Sequence, residues 1–321
     1  MRRKWGVPKM PYNEKISIIM PAYNAEKTIE RAIESVQRQT YTNWQLVIVN
    51  DGSKDATQTI IEQKCETDDR IESYTINNSG PAEARNYALK RTNGKWIAFC
   101  DADDWLADNA LFSMIDAVQN FSRQLGVCYY TAPSGEQVES LSKTEMIKQF
   151  LVNSELGGYL WNKIFLKDII EKYNIKFEKS IYICEDLLFV IQYTSHIQGC
   201  VIIPQKLYNY DVQPDGLTSS QFSMKKVTQL DALEKIIEVL NDDADAANAE
   251  ISKRLLVEKT IFIRRDAMKS LKSGVLQKRS PEYKYIKEKA NRICRRYIKE
   301  YLKEEDFPKK FKVMLLLYCF I

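Results

Sequence analysis

Three aspartates that follow a predicted buried strand offer the clearest chemistry in the sequence. They lie in the segment Phe99-Cys100-Asp101-Ala102-Asp103-Asp104. Side chains two residues apart in an extended backbone project to the same side, so Asp101 and Asp103 would point together, with Cα atoms roughly 7 Å apart. Mg²⁺ and Mn²⁺ prefer oxygen ligands and bridge phosphates through one or two protein carboxylates. The segment predicts a metal site that also reaches a sugar hydroxyl; the alternative is a solvated acidic turn that caps the next helix.

Two common phosphate-binding loops are absent from the sequence. The first predicted strand leads into Pro21-Ala22-Tyr23-Asn24 instead of G-x-G-x-x-G, and no G-x-x-x-x-G-K-[ST] segment occurs. Without such glycines the backbone cannot close on a pyrophosphate, which excludes a dinucleotide fingerprint and a Walker loop. A nucleotide diphosphate would need another source of positive charge, and a metal held by carboxylates is the obvious candidate.

Strands and helices alternate up to residue 100 and must position these carboxylates. The predicted strands are residues 16–20, 45–50, 71–77 and 95–100, and the predicted helices are residues 26–37, 56–65 and 82–92. Near-continuous apolar strands that alternate with helices predict an α/β fold, a mostly parallel sheet with helices on both faces. Ligands of such sheets bind at the carboxyl ends of the strands, where polar residues such as Asp51 and Asp101 lie.

Charge is divided unevenly along the chain of 321 residues. The whole sequence carries 47 Lys and Arg against 43 Asp and Glu, a net charge of +4. Residues 251–321 hold 20 basic against 8 acidic residues, a net +12, so residues 1–250 hold 27 against 35, a net −8. Such asymmetry indicates that the basic part meets an anionic partner, which could be nucleic acid, phospholipid or a phosphorylated substrate.

The composition argues against several kinds of functional site and against a membrane-spanning protein. His196 is the single histidine, which argues against histidine zinc sites and Ser-His-Asp catalysis. Seven scattered cysteines without a C-x-x-C pair indicate buried thiols in a reducing compartment. No apolar run follows the basic N-terminus, and the longest one, residues 313–321, is far shorter than the roughly 20 residues of a membrane-spanning helix. We therefore expect a cytoplasmic protein, which could still lie on a membrane surface.

Five sequence segments have an order and spacing that are informative together. They are PAYNAEKTIERAIESVQRQTY (21–41), VIVNDGSKDAT (47–57), NNSGPAEARNYAL (77–89), WIAFCDADDWL (96–106) and CEDLLF (184–189). In this order and spacing they resemble the family 2 glycosyltransferases, inverting enzymes with a GT-A-type, Rossmann-like fold. The resemblance covers roughly residues 16–220, which we assign to a catalytic domain. Residues 1–15 are then an N-terminal extension, and residues 221–321, with helical periodicity only, a basic C-terminal helical region.

The resemblance implies that the strand-end loops bind a nucleotide-diphosphate sugar, with a UDP-sugar as the predicted donor. Pro21, Ala22 and Tyr23 would frame the base, and Asp51 would accept a hydrogen bond from the ring N–H of uracil. Arg85 would lie near the nucleotide. From the residues alone, an equally good alternative is that Arg85 braces the acidic loops by ion pairing.

The same resemblance gives roles to the carboxylates. Asp101 would bind the ribose or a metal-bound water, and Asp103 would be the ligand of Mn²⁺ or Mg²⁺ on the diphosphate. An inverting transferase makes one in-line displacement, so one carboxylate must take the proton of the attacking hydroxyl. The family places that base in a Glu-Asp pair, which Glu185-Asp186 matches, and we predict Asp186. The alternative is that adjacent carboxylates mark only a helix N-terminus.

The predicted function is that of a metal-dependent inverting glycosyltransferase, hexosyltransferase-like, in the synthesis of a bacterial surface polysaccharide such as capsule, exopolysaccharide or teichoic acid. The implied acceptor is a glycan or lipid-linked oligosaccharide at the cytoplasmic face of the membrane. One alternative is a sugar-nucleotide-binding partner or regulator without turnover. Another is a nucleic-acid-binding protein, but basic charge binds nucleic acid weakly whatever the function, so we expect no specific nucleic-acid partner.

Two segments outside these motifs leave alternatives open. In this family the segment around Trp161 lines the acceptor side, so its ring either stacks on a sugar or is buried in the core. The end of the chain, Lys309-Lys310-Phe311-Lys312 followed by residues 313–321, combines basic and apolar residues. Together these favour peripheral contact with anionic lipid. The alternative is that this end packs on its own helices or joins the subunits of a homo-oligomer.

Overall fold

The computed structural model describes residues 12–133, 137–211, 222–242, 246–274, 276–303 and 308–320. Within these ranges the chain forms two units. The larger unit takes its residues from 1–179 and 185–214, and the smaller unit from 180–184 and from residue 215 onward. Most of the predicted N-terminal extension and the predicted boundary between residues 220 and 221 lie outside the described residues, so these domain limits stay predictions.

The larger unit begins with the expected alternation of strands and helices. Its first half contains β1 (Ile16–Ala22), α1 (Ile29–Gln37), β2 (Trp44–Asn50), α2 (Thr57–Thr67), β3 (Ile71–Thr75), α3 (Pro81–Leu89) and β4 (Trp96–Phe99). Its second half contains β5 (Trp105–Leu106), α4 (Ala110–Asn120), β6 (Leu125–Tyr129), β7 (Glu139–Ser142), α5 (Lys143–Val152), β8 (Lys163–Leu166), α6 (Lys167–Lys172), α7 (Glu185–Thr194), β9 (Gly199–Lys206) and β10 (Tyr208–Asn209). Every element predicted up to residue 100 is present, with ends displaced by no more than three residues.

Eight strands form one mixed sheet in the order β3-β2-β1-β4-β8-β6-β9-β7. β1 pairs in parallel with β2 and β4, and β2 with β3, as apolar strands separated by helices predict. β8 runs antiparallel to β4 and β6, whereas β9 is parallel to β6. The carboxyl ends of β1, β2, β4, β6 and β9 therefore lie at one edge of the sheet with the start of β8. β5 and β10, which follow β4 and β9, form a separate two-stranded sheet.

Burial on both faces explains why the central strands are continuous apolar runs in the sequence. All seven residues of β2 are buried. In β1, the neighbours Ile18 and Ile19 point to opposite faces of the sheet and are both fully buried. Helix α1 buries Ile29, Ile33 and Val36 at the spacing of one helical face. Both faces of the sheet are therefore packed against other parts of the protein. This packing fixes the strands, and with them the loops at the strand ends where a site can form.

The smaller unit contains four helices among its described residues: α8 (Met224–Asp242), α9 (Ala246–Lys272), α10 (Pro281–Lys303) and α11 (Lys309–Phe320). Apolar residues such as Ile237 of α8 and Ile286 of α10 are buried between them. The buried Lys289 of α10 pairs with Asp231 and Glu234 of α8. Among the described residues, no helix is both long enough and apolar enough to cross a membrane.

Candidate active site

The D-x-D loop, residues 101–104, follows β4 at the carboxyl edge of the sheet. Asp104 is fully buried, and its carboxylate accepts hydrogen bonds from the Tyr208 hydroxyl (2.7 Å) and the Asp211 backbone N–H (2.8 Å). Burial raises the pKa of Asp104 to about 7. The Tyr208 hydroxyl also accepts a hydrogen bond from the Asp101 backbone N–H (3.1 Å). Asp104 therefore anchors the loop from inside and does not face a ligand.

Arg31 of α1, to which no sequence motif assigns a role, holds the outside of the D-x-D loop. Its Nη2 donates to the Asp103 carbonyl oxygen (2.6 Å) and to the Asp211 carboxylate (2.7 Å), and its guanidinium lies 4.1 Å from the centre of the Trp105 ring. The side chains of Asp101 and Asp103 stay partly exposed. Burial and the neighbouring Asp101 charge raise the pKa of Asp103. A cation bound between these two aspartates would relieve that repulsion.

Arg85 of α3 joins three carboxylates from two distant parts of the chain. Its Nη2 lies 3.2 Å from Asp101, and its Nη1 lies 3.2 Å from Glu185 and 3.1 Å from Asp186. Arg85 is only 6% exposed, so these ion pairs are shielded from water. The ion pairing that the sequence offers as one role of Arg85 is present, and contact with a nucleotide stays a prediction.

Glu185 and Asp186 form the first turn of α7, with side chains that are 12% and 22% exposed. Burial raises the pKa of both carboxyl groups, that of Asp186 well above its usual range, while the positive charge of Arg85 opposes the shift. An ionised carboxylate with a raised pKa accepts a proton more readily than an ordinary aspartate. These surroundings suit a general base better than the solvated start of a helix.

The predicted base-binding residues lie at the ends of β1 and β2. Pro21 and Ala22 end β1, and the ring of Tyr23 beyond them is half exposed. The Asp51 carboxylate accepts hydrogen bonds from the backbone N–H groups of Ser79 (2.7 Å) and of the next residue (2.8 Å), which fixes the turn before α3. Each carboxylate oxygen has a second lone pair, so Asp51 can still accept a hydrogen bond from a ligand.

Trp161 is buried, which favours the core alternative for this residue. It is 6% exposed, and its ring stacks on those of Tyr159 and Tyr208, at centroid distances of 4.7 and 4.5 Å. Tyr210 also stacks on it at 5.6 Å and is itself 46% exposed. The indole is therefore buried against protein rings and does not offer a surface to a sugar.

Asp101 and Asp103 are the residues that fit a divalent metal. The described residues contain no group of three or more His, Cys, Asp or Glu side chains that could hold a metal ion. Mg²⁺ and Mn²⁺ that act on nucleotides commonly use only one or two protein carboxylates, with phosphate oxygens completing the shell. The donor set therefore fits a metal that arrives with a diphosphate.

The sequence matches proteins that are named as glycosyltransferases. A family model described as glycosyl transferase family 2 matches residues 17–175, and EpsJ of Bacillus subtilis, named as an uncharacterized glycosyltransferase, is 31% identical over 216 residues. Residues 17–175 belong to glycosyl transferase family 2. The EpsJ alignment covers 63% of this chain and 62% of EpsJ. A second relative, named as the putative glycosyltransferase EpsH of the same organism, is 27% identical, and its alignment covers 61% of this chain and 60% of EpsH. The chain thus spans less than two thirds of the length of these relatives.

Solved structures of glycosyltransferases share the fold over most of the chain. The crystal structure of Staphylococcus aureus TarS 1–349 in complex with UDP-GlcNAc aligns with a TM-score of 0.69 at 20% identity, covering 95% of this chain and 91% of that one. The mannosyltransferase PcManGT of Pyrobaculum calidifontis, in complex with GDP-Man and Mn²⁺, aligns with a TM-score of 0.56 at 14% identity, covering 97% and 87%. These alignments confirm the GT-A-type fold predicted for this family 2 chain.

Proposed function

We propose that this chain is a metal-dependent inverting glycosyltransferase that moves a sugar from a UDP-sugar to a glycan or lipid-linked oligosaccharide in cell-surface polysaccharide synthesis. The observation that carries the proposal is the Arg85 cluster, in which one buried guanidinium joins Asp101 to Glu185 and Asp186. Oxygen ligands for a diphosphate-bound metal and a carboxylate base would then lie around one side chain. The relative TarS of Staphylococcus aureus is named as a poly(ribitol-phosphate) β-N-acetylglucosaminyltransferase, which supports a role in cell-surface polysaccharide synthesis.

In the proposed reaction the acceptor hydroxyl attacks the anomeric carbon from the side opposite the diphosphate. The new carbon–oxygen bond forms while the bond to the diphosphate breaks, and Asp186 takes the hydroxyl proton. Arg85 favours the ionised form of Asp186 and holds its carboxylate in one direction. Asp103 and Asp101 would hold Mn²⁺ or Mg²⁺, which when bound offsets the negative charge of the departing diphosphate.

Uridine recognition is proposed for the ends of β1 and β2. Asp51 keeps lone pairs for the ring N–H of uracil, and the exposed ring of Tyr23 offers a surface on which a base can stack. Pro21 and Ala22 would complete the frame of the base. The UDP-GlcNAc complex of TarS supports a UDP-sugar, whereas the PcManGT complex contains GDP-Man, so both nucleotides belong in a test.

Turnover of a donor panel tests the proposed function. Purified full-length chain is incubated with UDP-sugars and GDP-sugars in the presence of Mn²⁺, Mg²⁺ or EDTA. We expect hydrolysis or transfer with at least one UDP-sugar, and a loss of about tenfold or more when EDTA removes the metal. Binding without turnover under every condition would favour the non-catalytic sugar-nucleotide-binding alternative. Neither turnover nor a thermal shift with any nucleotide sugar would refute the proposal.

The exposed face of α11 supports the proposed peripheral contact with the cytoplasmic side of the membrane. Val313, Leu316 and Leu317 are 57%, 41% and 47% exposed, and their spacing puts them on one helical face. Lys309 and Lys310 are exposed in the preceding turn. Lysines are attracted to anionic headgroups, and apolar side chains enter the membrane interface. The two features together bind a protein to the membrane more strongly than either one alone.

Sedimentation with vesicles of phosphatidylcholine and phosphatidylglycerol tests this contact. Because each basic residue near an anionic surface contributes about 1 kcal/mol, the double variant Lys309→Gln/Lys310→Gln should bind about tenfold more weakly or worse. The matched control, Lys172→Gln/Lys176→Gln, removes two exposed lysines of the larger unit and should sediment like wild type. Unchanged sedimentation of the α11 variant, with mass that depends on concentration, would favour a homo-oligomer contact instead.

A further inference from the structure

Lys163, at the start of β8, has a fully buried amino group to which the proposed reaction gives no role, and burial lowers its pKa to about 7. Its nitrogen lies within hydrogen-bond distance of the carbonyl oxygens of Leu156 (2.9 Å), Gly157 (2.6 Å) and Tyr159 (2.8 Å), and of the side-chain oxygen of Asn162 (2.8 Å). Carbonyl oxygens only accept hydrogen bonds, so they need this donor. One buried amino group therefore holds the segment 156–159, called here the 156–159 loop, in a closed turn.

The 156–159 loop packs directly against the first turn of α7. A Cβ atom added to Gly158 would lie 2.3 Å from Cδ1 and 2.9 Å from Cα of Leu187. Glycine therefore lets the loop approach the backbone of α7 more closely than any other residue could. Leu187 follows Asp186 in the chain, so the position of this loop determines where the backbone of Asp186 can lie.

We infer that Lys163 is a positioning residue for Asp186 and acts through the 156–159 loop and its contact at Gly158. The inference rests on the proposed function, because that function makes Asp186 the base. Arg85 holds the carboxylate of Asp186 from the side of the D-x-D loop. Lys163 supports the backbone at Leu187 through the 156–159 loop. Together these two constraints keep a short side chain within reach of an acceptor hydroxyl.

The charge of Lys163 also bears on the protonation of Asp186. The charged groups that face Asp186 are Arg85, Glu185, Asp101 and Lys163. Arg85 favours the carboxylate, as does Lys163 when it is protonated, and the two other carboxylates favour the acid. Where Lys163 is protonated, its removal therefore raises the pKa of Asp186, and the pH at which the transfer rate is half-maximal moves upward.

The test compares Lys163→Met, Gly158→Ala and the control Lys176→Met, which removes an exposed lysine. We expect kcat for UDP-sugar turnover to fall about tenfold or more in the first two variants, with the Kd for UDP within about threefold of wild type. The half-maximal rate should move to higher pH in Lys163→Met but not in Gly158→Ala, which removes no charge. Hydrogen exchange of a peptide covering residues 185–194, measured without substrates, should be faster in both variants than in the control.

Wild-type exchange together with a wild-type kcat in Gly158→Ala would overturn the inference, because the loop would then not position α7. Equal losses of kcat and of UDP affinity would also overturn it, since they indicate general disruption. If Lys163→Met does not fold, kcat and the hydrogen exchange of residues 185–194 in Gly158→Ala test the inference instead. A wild-type protein without turnover refutes the proposed function instead, and the exchange rates still decide whether the loop supports α7.

Discussion

Asp186→Asn is expected to lower the transfer rate about 100-fold or more and to leave the Kd for UDP within about threefold of wild type. Asparagine has nearly the same shape, and its side-chain oxygen can accept the hydrogen bond that Arg85 Nη1 donates to Asp186 (3.1 Å). It cannot take a proton from an attacking hydroxyl. Initial rates at saturating donor and acceptor, together with a titration with UDP, measure the two quantities separately.

Two further variants show whether the loss belongs to the base. Glu185→Gln should lower the rate less than Asp186→Asn does, because it keeps the proposed base and removes one charge beside it. Asp168→Asn, in the first turn of α6, changes an exposed aspartate outside the site and should leave the rate unchanged. An unaltered rate in Asp186→Asn, or a larger loss in Glu185→Gln, would contradict the choice of base.

Arg85→Met is expected to lower the free energy of unfolding of the larger unit by about 3–5 kcal/mol at neutral pH, because it leaves buried carboxylates without their cation. Asp101, Glu185 and Asp186 would then face one another. Burial and the repulsion between carboxylates raise the folded-state pKa values of Glu185 and Asp186 above the unfolded-state values. The loss of stability is therefore full above the raised pKa values and shrinks as the pH falls through them. Urea unfolding at about pH 7.5 and about pH 5.5 measures both effects.

Arg38 provides the matched control for Arg85. It is exposed and lies 3.5 Å from Asp108, and the loss of such a surface ion pair costs less than about 1 kcal/mol. Arg85→Lys should recover only part of the stability, because an ammonium lacks the planar fork that reaches carboxylates on two sides. Equal destabilisation by Arg85→Met and Arg38→Met would show that Arg85 does not organise the carboxylates.

The parallel half of the sheet could be predicted from the sequence because its pattern is local. Strands β1 to β4 are short apolar runs separated by helices, and the alternation of the two predicts parallel pairing directly. The position of β8 could not be predicted in this way. It is four residues long and enters the sheet antiparallel between β4 and β6, through pairs such as Trp96 with Leu166. Hydrophobic periodicity carries no information on contacts between residues so far apart.

The aspartates of the D-x-D loop and the Glu-Asp pair could be found from residue type and spacing, but their supporting residues could not. Arg31 reaches Asp103 across 72 residues and Asp211 across 180, and neither separation leaves a local signal. Lys163 is fully buried, which is rare for lysine and is not visible in a sequence. Asp104 is buried although its neighbours are partly exposed, because the direction of its side chain depends on Tyr208, which lies far along the chain.

The anomer first released from a UDP-α-sugar tests the central claim most directly. Hydrolysis by the full chain with Mg²⁺ is followed by ¹H NMR before the free sugar mutarotates. A single in-line displacement, with Asp186 as base, inverts the configuration at the anomeric carbon, so we predict that the β anomer appears first. Initial release of the α anomer, or no turnover of any UDP-sugar by a folded protein, would contradict the account.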